Sequence, residues 1–274
     1  MTTSYDAVRY NRRSWDELDE ELNRDRPVAL LPLGATEQHG RHLPLDVDSF
    51  IAESVCLEAA SRIPGKALVL PPIPYGLNLH HIDFPGTVHV APEAFIAYCL
   101  HVTKSLAYHG FERILLVNGH GSNMTLIELI ARRTILETPA LCGAVNYFML
   151  PSEEFQQVRD TDIFSHADEF ETSIYLHLAA ERVRMDKAVA VNNYGGRYTG
   201  PQNHYHHPVK LVDYWSSWTE SGVHGDPTTA TAEKGRVLFE AAVTHLAAAI
   251  EEFRDMERTA RRDYHAKGAK PVVW

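Results

Sequence analysis

Short apolar runs alternate along this chain with longer stretches of helical period, and that alternation confines it to an α/β layer architecture. Residues 28–33, 67–70, 113–117 and 143–148 read as strands. They are nearly continuous in apolar character, as strands buried on both faces are. Helices are expected over 14–22, 48–62, 92–109, 123–137, 169–182 and from 231 to about 258. Ser14 and Glu17 have capping-box spacing ahead of the first helix, and Pro92 suits the first turn of the third. The expected fold is therefore an α/β chain with a mainly parallel sheet covered by helices. No internal repeat or low-complexity linker divides the 274 residues, so a single domain over 1–274 is expected. Residues 192–226 have neither period and are rich in Gly, Pro, His, Tyr and Trp. They read as a long irregular excursion of the kind that covers a site or makes a subunit contact.

The charge balance narrows the partners. A net charge of −10 argues against a nucleic-acid surface, which requires clustered positive charge. No segment approaches the roughly 20 apolar residues a bilayer needs, and the first residues lack the apolar core of a signal peptide. A cytoplasmic protein without membrane contact is expected. Cys56, Cys99 and Cys142 lie inside apolar segments and read as buried thiols of a reducing compartment. Neither a GxxxxGKS/T nor a GxGxxG pattern points to a nucleotide enzyme. The compositional anomaly is 16 histidines, residues that ligate metals and carry protons.

Three segments concentrate that chemistry. The first, LGATEQHGRHLPLDVD at 33–48, follows the first strand. Glu37 and His39 are two apart and in extended backbone leave on the same side, while Asp48 stands at the start of the next helix. Mixed oxygen and nitrogen donors suit zinc, manganese or iron better than magnesium or calcium. The second, NGHGSN at 118–123, sets His120 between Gly119 and Gly121, whose amides are able to approach a ligand closely. Asn123 is placed to cap the following helix. Both loops leave the carboxyl ends of strands, where open α/β sheets bind ligands. The third, HADEFETS at 166–173, enters a helix. His166 and Glu169 are three apart and share a helical face, whereas Glu171 points elsewhere. Asp168 and Glu171 serve equally well as first-turn charges that complement the helix dipole.

Together with HHIDFPGT at 80–87, and more loosely GVHGDP at 222–227, these segments resemble the creatininase, or creatinine amidohydrolase, family, in order and across most of the chain. The resemblance implies a three-layer α/β/α sandwich with a binuclear metal site that hydrolyses amide-type C–N bonds. It also implies a homo-oligomer, often a homohexamer. By position, Glu37 and His120 would hold one divalent ion, zinc or manganese with iron as a further option. His39 would hold the other, with Asp48 bridging. Ser122 stands where creatininase has a ligating glutamate, and the position matching Glu169 supplies the fifth ligand in homologues with a small residue there. His166 matches the catalytic histidine. Phe148 aligns with a tryptophan that closes over creatinine, and no tryptophan precedes His166 in TDIFSH, which argues against creatinine itself.

Two divalent ions about 3.5–4 Å apart would acidify a shared water and polarise the scissile carbonyl. His166 would then deliver a proton to the departing nitrogen, and backbone amides around Gly119 and Gly121 would add oxyanion donors. The leading expectation is a metal-dependent amidohydrolase acting on a small cyclic amide, formamide or related C–N substrate. A peptide-processing hydrolase with the same site is the alternative within enzymes, and a non-catalytic metal-binding protein the alternative outside them. His81 divides between turn packing and substrate contact. His42 reads as an outer partner or a solvated ring, and the NHYHH tract at 203–207 as a surface loop or oligomer contact rather than a second metal site. Trp215 and Trp218 fit an interface or the core equally well. Glu251, Glu252, Arg261 and Arg262 read as a solvated helix end.

Overall fold

The computed structural model describes residues 5–192, 209, 211–260 and 262–265. Four strands, β1 (Val28–Leu33), β2 (Ala67–Val69), β3 (Arg113–Asn118) and β4 (Leu141–Asn146), form a parallel sheet in the order β2-β1-β3-β4. The central pair sets the register, with Ala29 opposite Ile114 and Leu33 opposite Asn118. Among the described residues, seven helices surround the sheet: α1 (Trp15–Arg24), α2 (Val47–Arg62), α3 (Pro92–Tyr108), α4 (Met124–Glu137), α5 (Ser152–Val158), α6 (Glu169–Ala179) and α7 (Ala232–Asp255).

The period of two in the strands divides the core into two layers. Val28 and Leu30 of β1, with Leu115 and Val117 of β3, pack on one side with α2, α6 and α7. Ala29, Leu31, Ile114 and Leu116 pack on the other with α3 and α4. The result is the expected three-layer α/β/α sandwich, with β1 buried on both faces. Ser14 and Glu17 form the capping box of α1 and Pro92 opens α3, as the spacing requires. Cys56, Cys99 and Cys142 are buried free thiols. Among the described residues, no helix is long and apolar enough to cross a membrane.

Some local expectations fail for identifiable reasons. The expected 169–182 helix ends at Ala179 and continues as a 3-10 turn, Ala180–Arg182. Asn123 precedes α4 without capping it, because its side chain is engaged elsewhere: Oδ1 accepts from Leu77 N and Nδ2 donates to Gly34 O. Of the excursion, Trp215–Ser217 is a 3-10 turn, and Gly225 pairs with Val191. The histidine tract at 203–207 lies outside the described residues.

Candidate metal centre

Three chain segments meet beyond the carboxyl ends of β1 and β3. The loop after β1 carries Glu37 and His39 and delivers Asp48 in the first turn of α2. The loop after β3 carries His120, and the Gly119 N–H donates to Leu33 O at 2.7 Å, which ties the two loops together. Gly119 has to be glycine: a Cβ there would lie 2.3 Å from the Asp48 carbonyl oxygen. Asn118 clamps the same loop, accepting from His120 N and donating to His120 O and Asn146 Oδ1. The third segment is held by an antiparallel bridge between His166 and His224. Ala167 then turns in the left-handed region, φ 51°, into α6. That conformation is disfavoured for a residue with a Cβ, and such strain concentrates at functional sites.

The donor atoms converge in a dry interior. Glu37, His39 and Asp48 are at most 2% exposed, and their donor atoms lie within 4.8 Å of one another. Asp48 stands between two histidines, with Oδ1 3.1 Å from His39 Nε2 and Oδ2 3.2 Å from His120 Nδ1. Glu37 Oε1 lies 3.2 Å from the same His120 nitrogen, and Glu171 Oε2 lies 3.7 Å from His39 Nε2. The outward nitrogens are already committed: His120 Nε2 donates to Leu77 O at 3.0 Å, and His39 Nδ1 donates to Glu37 O at 3.3 Å. Each ring therefore turns a lone pair inward, the arrangement that backbone carbonyls impose on metal-ligating histidines.

Both carboxylate oxygens of Glu37, Oδ2 of Asp48 and Nε2 of His39 are buried without a hydrogen-bond partner. Buried polar groups are otherwise nearly always satisfied. This donor set fits a divalent cation of the zinc or manganese type, since it combines imidazole nitrogen with carboxylate oxygen. The electrostatics agree. Burial opposes protonation of His39, yet Asp48 and Glu171 outweigh it and lift the ring to about 10. His120 is likewise raised against burial by Glu37 and Asp48. Burial would raise Asp48, but the His39 and His120 charges hold it below the usual carboxylate range. The cluster thus attracts positive charge, and a metal competes with protons for it. His81 and His166 behave oppositely: burial and neighbouring imidazoles push both well below the ordinary histidine value.

The third segment requires a correction. Glu169 is turned away from the cluster, where its carboxylate accepts from Asp160 N and Thr161 N and pairs with Lys234. Glu171 faces the metal donors in its place, with His39, His166 and Glu171 offering atoms within 4.8 Å of one another. The helix-face argument fails because Asp168 is the N-cap, accepting from Phe170 N and Glu171 N. His166 therefore lies outside the helix, and counting three residues onward from it does not define a shared face. The Gly119 amide is corrected too: its proton goes to Leu33 O, so it is no oxyanion donor, although Gly119 and Gly121 both line the cavity.

The cavity above the cluster has an aromatic wall. Phe148 and Phe164 approach with ring centroids 6.1 Å apart. Trp215 closes the other side, 4.8 Å from the His81 ring and 5.3 Å from the His166 ring, with its Nε1 donating to Gly222 O. Trp215 is thus a site residue, which no local pattern signals. His42 takes an outer place, its Nε2 paired with Thr172 Oγ1 at 2.9 Å.

Residues 11–250 match the creatininase family, described as creatinine amidohydrolase. The chain belongs to the creatininase family. It is 33% identical over 230 residues to a mycofactocin precursor peptide peptidase of Mycobacterium ulcerans, covering 78% of this chain and 80% of that protein. Identity to a 3-dehydro-scyllo-inosose hydrolase of Thermotoga maritima is 30% over 273 residues, covering 92% of this chain and 85% of that protein. Identity to a creatinine amidohydrolase of Pseudomonas putida is 28% over 258 residues, covering 87% of this chain and 94% of that protein. A manganese creatininase structure shares the fold with a TM-score of 0.76 at 28% identity, covering 90% of this chain and 99% of that one. A mutant creatininase of zinc–zinc type follows at 0.74 and 29%, covering 90% and 98%. These relatives are named as a peptide peptidase, an inosose hydrolase and an amidohydrolase, so their names share hydrolysis and not a substrate.

Within this creatininase-family site the two glutamates separate cleanly by experiment. Glu171→Gln is expected to weaken metal binding, by about 10-fold or more, with little change in thermal stability. Glu169→Gln is expected to retain metal but to lose about 1–3 kcal/mol of stability, because Lys234 loses its buried partner and keeps only Asp160 and the Thr229 carbonyl. Metal titration and thermal unfolding of both variants check this, and the reverse pattern would restore Glu169 as the ligand.

Proposed function

We propose that this chain is a metal-dependent amidohydrolase that cleaves a C–N bond in a small cyclic amide, formamide or related substrate. The observation that carries the reading is the set of orphaned buried donors on Glu37, His39 and Asp48, aimed at one another beneath a cavity. The split of Asp48 between His39 and His120 supports two ions. Glu37, His120 and Asp48 Oδ2 would hold one, and His39, Glu171 and Asp48 Oδ1 the other. Bound there, such a pair supplies Lewis acidity and makes water ionisable near neutral pH.

The chain's own groups do the rest. His166 lines the cavity with Nδ1 3.7 Å from Glu37 Oε1. It accepts a proton at that nitrogen and passes it to the departing amine, because an amide anion is a very poor leaving group. Phe148, Phe164 and Trp215 exclude water and favour a flat or apolar substrate. A peptide substrate is the second reading. The cavity continues past His80, Gly121 and Ser122 into an apolar trough lined by Leu77, Leu79 and Met124, which suits a longer chain.

The test is hydrolysis of a panel of lactams, formamides and short peptides by zinc- or manganese-loaded protein. Cleavage abolished by chelation and restored by either metal is the expected result. Stable metal occupancy without cleavage across the panel would favour a non-catalytic metal-binding protein instead.

A further inference from the structure

Gln38 sits between two of the metal-facing residues and points the other way, into a nest of histidines. Its amide orientation is fixed by backbone groups of known polarity. Oε1 accepts from Gly40 N at 2.9 Å, and Nε2 donates to Gly222 O at 3.0 Å. The fit is close: Gly222 is at φ 84°, and a Cβ there would lie 1.8 Å from Gln38 Oε1.

That leaves one amide hydrogen and two neighbouring ring nitrogens, His81 Nδ1 at 2.8 Å and His166 Nε2 at 3.0 Å. The His166 nitrogen also lies 2.8 Å from the Gln38 backbone carbonyl, which only accepts. His166 Nε2 must therefore carry a proton and give it to Gln38 O. The remaining amide hydrogen goes to His81 Nδ1, which must be unprotonated to receive it. The neutral His81 ring then carries its proton on Nε2, the atom 3.6 Å from Glu37 Oε1. His166 keeps its lone pair on Nδ1, which also faces Glu37.

We propose that Gln38 is a positioning residue that fixes the tautomers of His81 and His166, so that the site presents one donor and one acceptor from two chemically identical rings. His81 Nε2–H donates a hydrogen bond to the substrate carbonyl oxygen as negative charge develops there. His166 Nδ1 takes the proton that leaves the attacking water and returns it to the nitrogen of the breaking C–N bond. Throughout, His166 Nε2–H stays on the Gln38 carbonyl, which stabilises the transient imidazolium. The tautomers follow from hydrogen bonding alone, whereas their use in turnover rests on the amidohydrolase reading above.

The experiment is two-bond proton–nitrogen correlation of the zinc-loaded protein labelled with 15N-histidine, with His81 resonances identified by their loss in His81→Phe. In the unaltered protein, both His81 and His166 are expected as neutral Nε2–H tautomers. In Gln38→Glu, whose carboxylate has no hydrogen to give, His81 is expected to move its proton to Nδ1. Zinc content should stay at the unaltered level while kcat falls about 10–100-fold with KM nearly constant. A His81 proton on Nδ1 in the unaltered protein would overturn the proposal without any variant having to fold. So would a Gln38→Glu protein with unchanged His81 shifts and kcat. Correct tautomers in a protein that hydrolyses nothing on the panel would refute the amidohydrolase reading and leave the positioning role standing.

Discussion

Asp48→Ala is expected to lose metal and turnover together. The two oxygens of Asp48 face different histidines, and it is 2% exposed. Its removal leaves His39 and His120 beside Glu37 and Glu171 with nothing joining the two halves of the donor set. Metal analysis should fall to background, and kcat/KM should drop by about 1,000-fold or more, equivalent to about 4 kcal/mol of transition-state stabilisation. Asp48→Asn is the sharper version because it preserves volume while withdrawing the charge. Full metal content in either variant would remove Asp48 from the centre. The fold should survive both substitutions, since the core layers on either side of β1 do not depend on this carboxylate.

His166→Ala is expected to do the opposite with metal and the same with turnover. The ring is held by backbone contacts, Nε2 on Gln38 O and the main chain paired with His224, and its free nitrogen faces the cavity. Loss of the proton carrier should leave metal content intact and reduce kcat by about 100-fold to 10,000-fold. Amide substrates should suffer more than activated esters of the same acyl group, because an alkoxide or phenoxide departs without the proton that an amine requires. Equal losses on both would remove His166 from proton delivery to the leaving nitrogen, lost metal would assign it to metal binding, and an unchanged rate would end its role as proton carrier.

Strands β1, β2 and β3 were legible because they are buried on both faces, and a run such as VALLPL admits few other readings. Strand β4 was read two residues late, since Leu141 enters the sheet by pairing with Arg113, a tertiary fact that local pattern does not carry. Helix α5 was invisible for a different reason: its seven residues bury one side chain, Phe155, too little for a period. The loops after β1 and β3 announced Glu37, His39, Asp48 and His120 because the chain returns to one sheet edge after each crossover. The remainder of the site depends on turns with no such regularity. Ala167 in the left-handed region decides that Glu171, not Glu169, faces His39. Trp215 reaches the cluster from the far end of an irregular segment, and Gln38 is known as a site residue only once Gly222 is seen against it.

The central claim is that Glu37, His39, Asp48, His120 and Glu171 hold a pair of cations in the space between their orphaned donors. Anomalous diffraction from zinc-loaded crystals, collected on both sides of the zinc edge, addresses it most directly. Two peaks within about 4 Å of each other, with Asp48 between them, are predicted. An empty centre at saturating zinc, or a peak at Glu169 and Lys234 instead, would contradict the account.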